Sequence, residues 1–213
     1  MSESLSLAGI EIALGERLLV PAFDLTIAAG EVVTVMGPSG IGKSTLLAFI
    51  CGTLDGDFRA RGSIHLGARE LTRLPPERRR LGILFQDDLL FPHLSVGANL
   101  AFGLAPSVRG SHLRHARVEE ALQSAGLAGF APRDPATLSG GQRARVALMR
   151  ILLAEPQALL LDEPFGKLDA ALREEFRHFV FDHIRARALP ALLVTHDRAD
   201  ADAAGGRVLR LGA

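Results

Sequence analysis

Nine consecutive residues, Gly37-Pro38-Ser39-Gly40-Ile41-Gly42-Lys43-Ser44-Thr45, carry the most specific chemistry in this chain. They lie between two apolar runs, Val32 to Met36 and Leu46 to Ile50. The order is therefore strand, glycine loop, helix, with the spacing G-x-x-x-x-G-K-[ST] at the joint. Glycine lets the backbone curl until several N–H groups face one centre, and the start of a helix adds partial positive charge. The resulting hollow suits a phosphate group. Lys43 is placed to reach β- and γ-phosphates, and the Ser44 hydroxyl to bind Mg²⁺. The plainer reading is a glycine-rich turn before a helix, and the flanking strand and helix weigh against it. Lys43 is one of only two lysines, the other being Lys167, and arginine supplies the remaining positive charge. A compact ammonium suits a phosphate cradle where a planar guanidinium does not.

Three further places could join it. Ala158 to Leu161 is a continuous apolar run, as a buried parallel strand requires, and it ends in Asp162-Glu163-Pro164. Reactive side chains belong at the carboxyl ends of such strands. Asp162 suits a Mg²⁺ site reached mostly through water, and Glu163 suits activation of a water. The alternative is two surface carboxylates. Leu138-Ser139-Gly140-Gly141-Gln142 precedes an amphipathic helix bearing Val146, Ala147, Ile151 and Leu152. Ser139 fits an N-cap, which makes this a second potential anion site at a helix start; a Ser-Gly-Gly run alone is weak. His196 follows the apolar run Ala191 to Thr195, and taken alone it reads as a core histidine.

The elements that must position these residues follow from periodicity. Residues 5 to 35 read mostly as strands, with Leu5, Leu7, Ile10 and Ile12 roughly alternating with polar or small residues, and turns near Gly15 and Gly30. The helix after the phosphate loop should end near Gly52, with a strand from Gly62 to Leu66 beyond it. Arg69 to Arg80 reads as a charged loop broken by Pro75-Pro76. Its triple arginine, Arg78-Arg79-Arg80, reads as solvated rather than as a contact for phosphate or an acidic partner. Leu81 to Phe85 is a short buried strand ending in Gln86. From Asp87 to Ala136 the spacing becomes helical, as in Val118, Ala121, Leu122 and Ala125, so this stretch is a helical insertion in an α/β core. His112 and His115 lie among arginines with no Cys, Asp or Glu to complete a metal set, and read as a solvated basic face. A helix over Ala170 to Arg187 and a final strand over Arg207 to Leu211 close the pattern.

Composition bounds the rest. A chain of 213 residues fits one domain or two small ones. Zero formal net charge gives no global reason to bind nucleic acid. One cysteine, Cys51, makes no internal disulfide and fits a reduced compartment, as a small buried hydrophobe. The first residues open no signal peptide, and no apolar run reaches the roughly 18 residues of a membrane helix. Any membrane role is therefore expected through a partner.

Taken together and in this order, the phosphate loop, Gln86, Leu138 to Gln142, Leu159 to Pro164, Leu168-Asp169 and His196 resemble the ATP-binding subunits of ABC transporters over essentially the whole chain. The resemblance implies a P-loop NTPase (RecA-like) α/β core with an N-terminal antiparallel β-subdomain, over 1–86 and 157–213, and an inserted α-helical subdomain over 87–156. It implies ATP and Mg²⁺ as cofactors. It also implies a homodimer on ATP binding, each nucleotide lying between Gly37 to Thr45 of one subunit and Ser139, Gly140, Gly141 and Gln142 of the other. By the same resemblance Ser44, Asp162 and Gln86 attend the metal, Gln86 also contacts the attacking water, and Glu163 is the general base. His196 contacts the γ-phosphate, Lys43 the β- and γ-phosphates, and Asp169 crosses the dimer interface.

The stretch from Arg79 to Leu104, with Phe91-Pro92-His93-Leu94 and Asn99-Leu100-Ala101-Phe102-Gly103, is similar to bacterial importers for polyamines, sulfate, molybdate, iron(III) and thiamine. That implies an integral-membrane permease as partner, a periplasmic solute-binding protein acting indirectly, and a peripheral place at the cytoplasmic face of the inner membrane. An exporter ATPase is the nearer alternative, and a non-transport ABC ATPase the farther one. Three departures stand out. No C-terminal regulatory domain is expected after His196. Gly166-Lys167-Leu168-Asp169 replaces the commoner Ser-Ala-Leu-Asp. Leu14 occupies the position where an aromatic usually stacks on adenine, in a chain without Tyr or Trp.

Overall fold

The computed structural model describes residues 3–211. They form two compact units. The first comprises residues up to 83, 157–163 and from 181 onward; the second comprises 84–156 and 164–180. The segment 164–180 thus groups with the helical residues, whereas the sequence reading placed it with the core.

The first unit contains two sheets. Strands β1 (Leu5–Leu14), β2 (Arg17–Ile27), β4 (Phe58–Leu66) and β5 (Arg69–Glu70) form one in the order β2-β1-β4-β5, with antiparallel pairing throughout. Strands β3 (Val32–Met36), β6 (Leu81–Leu84), β7 (Ala158–Asp162), β8 (Ala191–Thr195) and β9 (Val208–Arg210) form the other, in the order β6-β7-β8-β3-β9. Helix α1 (Lys43–Cys51) and helix α7 (Arg198–Ala204) belong to this unit. Strand β8 is buried from end to end, and β3 and β7 at all but their last residue, as central parallel strands must be. One core cluster joins Leu5, Ile10, Ile64, Val35, Leu46, Ile50, Leu160 and Val194 across both sheets and α1.

The alternation in β1 is only approximate because the strand is bulged. The register of β1 against β2 shifts between Leu7 and Ile10, and Gly9 sits there at φ 58°. The bulge changes the phase, so Leu7 and Ile10 both face the core despite their odd spacing.

The second unit is helical: α3 (Val96–Phe102), α4 (Ser111–Ser124), α5 (Gly140–Leu153) and the first part of α6 (Ala170–Ala186). Its core is built from Val96, Leu100, Val118, Leu122, Val146 and Met149, with Phe165 and Phe176 meeting edge to face at 5.8 Å. The fully buried Asn99 closes the loop before α3, its amide donating to the carbonyls of Phe91, Leu94 and Ser95.

The charged loop at Arg69–Arg80 is more ordered than its composition suggests. It holds β5 and a single helical turn, α2 (Pro76–Arg79), and Arg79 is buried rather than solvated. The Arg79 guanidinium donates to the carbonyls of Phe49, Ile50, Thr72 and Leu74 at 2.7–2.8 Å. It therefore caps the carbonyl end of α1. Gly52 at that end is required by close approach, since a Cβ there would stand 2.6 Å from the Arg79 guanidinium carbon.

Candidate functional site

Sheet register builds the site in the first unit. Met36 pairs with Thr195 and Asp162 with Val194, so β3, β7 and β8 end at nearly the same level. The residues that follow each strand are the phosphate loop, Glu163 and His196. Residues 37, 163 and 196 are far apart in sequence, yet strand pairing alone delivers them to one edge.

The loop is shaped by its glycines. Gly42, the N-cap of α1, has φ 105°, and a Cβ there would meet Val20 Cγ2 at 3.0 Å and Leu19 Cβ at 3.3 Å. No side chain caps α1 and no acidic residue lies in its first turn, so that end stays open to an anion. Lys43 is 5% exposed and its ammonium donates to the carbonyls of Gly37 (2.9 Å) and Pro38 (3.1 Å). The glycine cradle, uncapped helix start and curled lysine fit a triphosphate.

The acidic side adjoins it. Ser44 Oγ donates to Asp162 Oδ1 at 3.1 Å. Burial pushes the Asp162 carboxyl above its ordinary value and the Glu163 charge adds to this, while the Ser44 hydroxyl and Lys43 offset part of it. A desolvated carboxylate beside an exposed hydroxyl is a donor set that suits Mg²⁺ held by few protein ligands. Glu163 stands in the left-handed region, φ 47°, with its N–H donating to the Val194 carbonyl at 2.9 Å. Its carboxylate lies 3.8 Å from Lys43 Nζ through Oε1 and 3.0 Å from His196 Nδ1 through Oε2. His196 is 60% exposed, so it is no core histidine. Behind it the buried Thr195 hydroxyl donates to Asp200 and accepts from the Asp197 N–H, which fixes the loop that carries it.

The strained charge on Asp162 gives a testable asymmetry. Its folded carboxyl keeps the proton to higher pH than the unfolded one, so its contribution to stability falls as pH rises and is a penalty at neutral pH. Asp162→Asn is therefore expected to stabilise the nucleotide-free protein while abolishing MgATP hydrolysis. The midpoint of thermal unfolding should rise by about 2–4 °C for each kcal/mol relieved. A lowered midpoint would mean that the Ser44 contact outweighs the burial.

The remaining candidates lie in the second unit. Gln86 follows β6 and is exposed. Ser139 caps α5 through its hydroxyl, which accepts from the Gln142 N–H, and the Gln142 side-chain oxygen accepts from the Ser139 N–H. This reciprocal cap occupies the Gln142 amide oxygen, and the Ser-x-x-Gln spacing signals it in the sequence. Gly140 and Gly141 open α5, against Leu168 and Leu172 respectively. Asp169 caps α6, its carboxylate accepting from the Leu172 N–H at 3.0 Å. The structure thus gathers Lys43, Ser44, Asp162, Glu163 and His196 in one unit and places Gln86, Ser139 to Gln142 and Asp169 in the other. Among the described residues, no group of three or more His, Cys, Asp or Glu suited to a metal ion occurs, at His112 and His115 or elsewhere. No helix among them is long and apolar enough to cross a membrane.

Comparison with known proteins fits this picture. A family model described as ABC transporter matches residues 20–166. The uncharacterized ABC transporter ATP-binding protein YnjD of Escherichia coli (strain K12) is 49% identical over 199 residues, covering 93% of this chain and 91% of its own length. The thiamine import ATP-binding protein ThiQ of Chelativorans sp. (strain BNC1) is 44% identical over 187 residues, 88% of this chain and 75% of that protein. The Fe(3+) ions import ATP-binding protein FbpC of Streptomyces avermitilis is 42% identical over 205 residues, 96% of this chain but 59% of that protein.

Proposed function

The chain belongs to the ABC transporter family, as an ATP-binding protein that hydrolyses ATP, and from that premise we propose that it powers a bacterial importer. One observation carries the mechanism: Lys43, Ser44, Asp162, Glu163 and His196 converge at the ends of three adjacent strands. Lys43 exchanges its loop carbonyls for the β- and γ-phosphate oxygens, while the loop N–H groups of Gly37 to Thr45 hold the phosphates in place. Ser44 and Asp162 would hold Mg²⁺, joined by Gln86 as the family resemblance implies, and the metal would neutralise phosphate charge. Glu163 takes the proton of the attacking water. His196 fixes one carboxylate oxygen through Nδ1 and leaves its other ring nitrogen for the γ-phosphate.

Two copies complete the site. Ser139, Gly140 and Gly141 present a second helix start, and in a nucleotide-bound homodimer this end faces the γ-phosphate held by the other subunit, with Asp169 at the interface. The helical unit, reached through Gln86, docks a membrane permease at the cytoplasmic face. Relatives named for thiamine and Fe(3+) import support the importer reading. A solute-binding protein would select the cargo, so cargo never touches this subunit. The isolated subunit should hydrolyse ATP slowly and without response to solute. Assembled in vesicles with its partner permease, it should be stimulated by loaded binding protein. Full solute stimulation of the subunit alone would contradict the assignment.

Base selectivity rests on Leu14. It ends β1 at 42% exposure, whereas Phe23 packs against the core cluster. Stacking of a base on an aromatic contributes about 1–3 kcal/mol measured against alanine, and leucine supplies part of that by apolar contact. Leu14→Tyr is expected to tighten ATP by about fivefold, or ~1 kcal/mol, and the wild type to discriminate weakly between ATP and GTP. Nucleotide titrations of both proteins check this; strong ATP selectivity unchanged by the substitution would place the base elsewhere.

A further inference from the structure

Within the helical unit, the two residues after Gln86 are each tied to a different loop. The Asp87 carboxylate accepts from Lys167 Nζ, 80 residues away and two before Asp169. The Asp88 carboxylate accepts from Arg143 Nε at 2.8 Å. Arg143 lies in the first turn of α5, and its Nη1 donates to the Leu138 carbonyl at 2.7 Å, immediately before Ser139. About two turns further along α5, Arg150 holds the carbonyls of Asp88 (3.3 Å) and Leu89 (2.9 Å). Asp87, Asp88, Arg143 and Lys167 line a single cavity of about 290 Å³ together with Gln86, Gly140 and Leu168.

Stability does not account for this arrangement. Lys167 and Asp87 are 54% and 61% exposed, and Arg143 and Asp88 are 36% and 31%. Ion pairs this wet contribute little to folding. What they do is join three segments whose own backbones make no ladder with one another. The cation at 167 also stands where the commoner Ser-Ala-Leu-Asp loop has a neutral residue, so the Asp87 contact depends on that departure.

We propose that Asp87 and Asp88 form an ionic junction that holds Gln86, the Ser139 helix start and the Asp169 loop in a fixed register, so that the three shift together during the ATP cycle. The inference rests on the reading of Gln86, Ser139 and Asp169 as nucleotide-site residues. Asp87, Asp88, Lys167 and Arg143 are positioning residues: they touch no reacting atom, and the phosphate contacts of Lys43 and the Gly37–Thr45 loop do not depend on them. The junction therefore acts on turnover rather than on nucleotide affinity. Being exposed, it is also screened by salt.

The test is steady-state hydrolysis of MgATP by the full chain at about 0.1 M and about 1 M salt, where the screening length is about 10 Å and about 3 Å. Lys167→Asp and Asp87→Lys are measured singly and together. Each single variant should lower kcat about threefold to fivefold at the lower salt, the most that an exposed pair's coupling supports, with KM unchanged within about twofold. The double exchange, which restores opposite charges across the same gap, should recover kcat to within about twofold of wild type. The difference between single variants and wild type should close at high salt. Single variants with wild-type kcat, or a double exchange no better than the worse single variant, would overturn the junction. Glu163→Gln in the same assay separates the two levels. If it keeps full turnover, the site reading and the junction both fall; if it loses turnover while the single variants do not, the junction alone falls.

Discussion

Glu163→Gln is expected to lower ATP turnover about 10²–10⁴-fold, the usual contribution of a general base, while nucleotide affinity stays within a few fold. Glutamine keeps the size and shape of the side chain but cannot take a proton from water. The surroundings argue that shape will survive the change. The backbone of Glu163 is held in the left-handed region by its N–H bond to the Val194 carbonyl, independent of the side chain. Glutamine can still bond to His196, which stands 3.0 Å from Oε2. The phosphate contacts of Lys43 and the loop lie on the other side of a 3.8 Å gap that is long for a hydrogen bond. Phosphate release at saturating MgATP measures turnover and equilibrium titration measures affinity. A variant that binds poorly yet turns over normally would make Glu163 a structural partner of Lys43 instead of the base.

Arg79→Met should cost about 3–4 kcal/mol of folding stability, because it strands buried acceptors. Methionine approximates the volume of the arginine stem but offers no donors. Four carbonyls, those of Phe49, Ile50, Thr72 and Leu74, would lose the guanidinium, which is itself 4% exposed, although that of Phe49 keeps the Gly52 N–H. Two of these carbonyls belong to the last turn of α1, where a cation also complements the helix dipole. Burial opposes the charge and holds the guanidinium below its ordinary pKa. Removing the charge therefore returns part of the loss, which keeps the net below the sum of the four bonds. Arg79→Lys should recover little, since one ammonium cannot span four carbonyls on two segments. Because α1 carries Lys43 and Ser44 at its other end, ATP affinity should fall with stability. Urea unfolding checks the prediction; a loss below about 1 kcal/mol would mean that water takes over the four carbonyls.

Arg79 also marks where sequence reasoning stops. Its neighbours Arg78 and Arg80 and the flanking prolines give the composition of a solvated loop, and its carbonyl partners lie up to 30 residues away. Nothing local signals them. The phosphate loop, Asp162-Glu163 and His196 were legible for the opposite reason. Each follows directly on a continuous apolar run, so each could be assigned to the end of a buried strand before any pairing was known. The bulge at Gly9 blurred the β1 alternation without hiding the strand. The reciprocal cap of α5 by Ser139 and Gln142 was written in the Ser-x-x-Gln spacing, and capping of α6 by Asp169 in its place just before an amphipathic run, though chemistry drew attention to those residues first. The contacts of Asp87 and Asp88 span 80 and 55 residues and leave no periodic trace. The segment 164–180 joins the helical unit through contacts such as the Arg145–Glu175 ion pair and Leu172 against Gly141, pairings of residues too distant for any window of sequence to contain.

The claim at the centre is that one nucleotide is gripped by the Lys43 loop of one copy and the Ser139 helix start of another. Gel filtration with light scattering on Glu163→Gln, with and without MgATP, tests it most directly, because blocked hydrolysis holds the bound state. The predicted result is a mass of 22.7 kDa without nucleotide and twice that with it, with the doubling lost when Ser139→Arg is added to the same protein. A Glu163→Gln protein that binds MgATP to saturation and remains at 22.7 kDa would contradict the shared site.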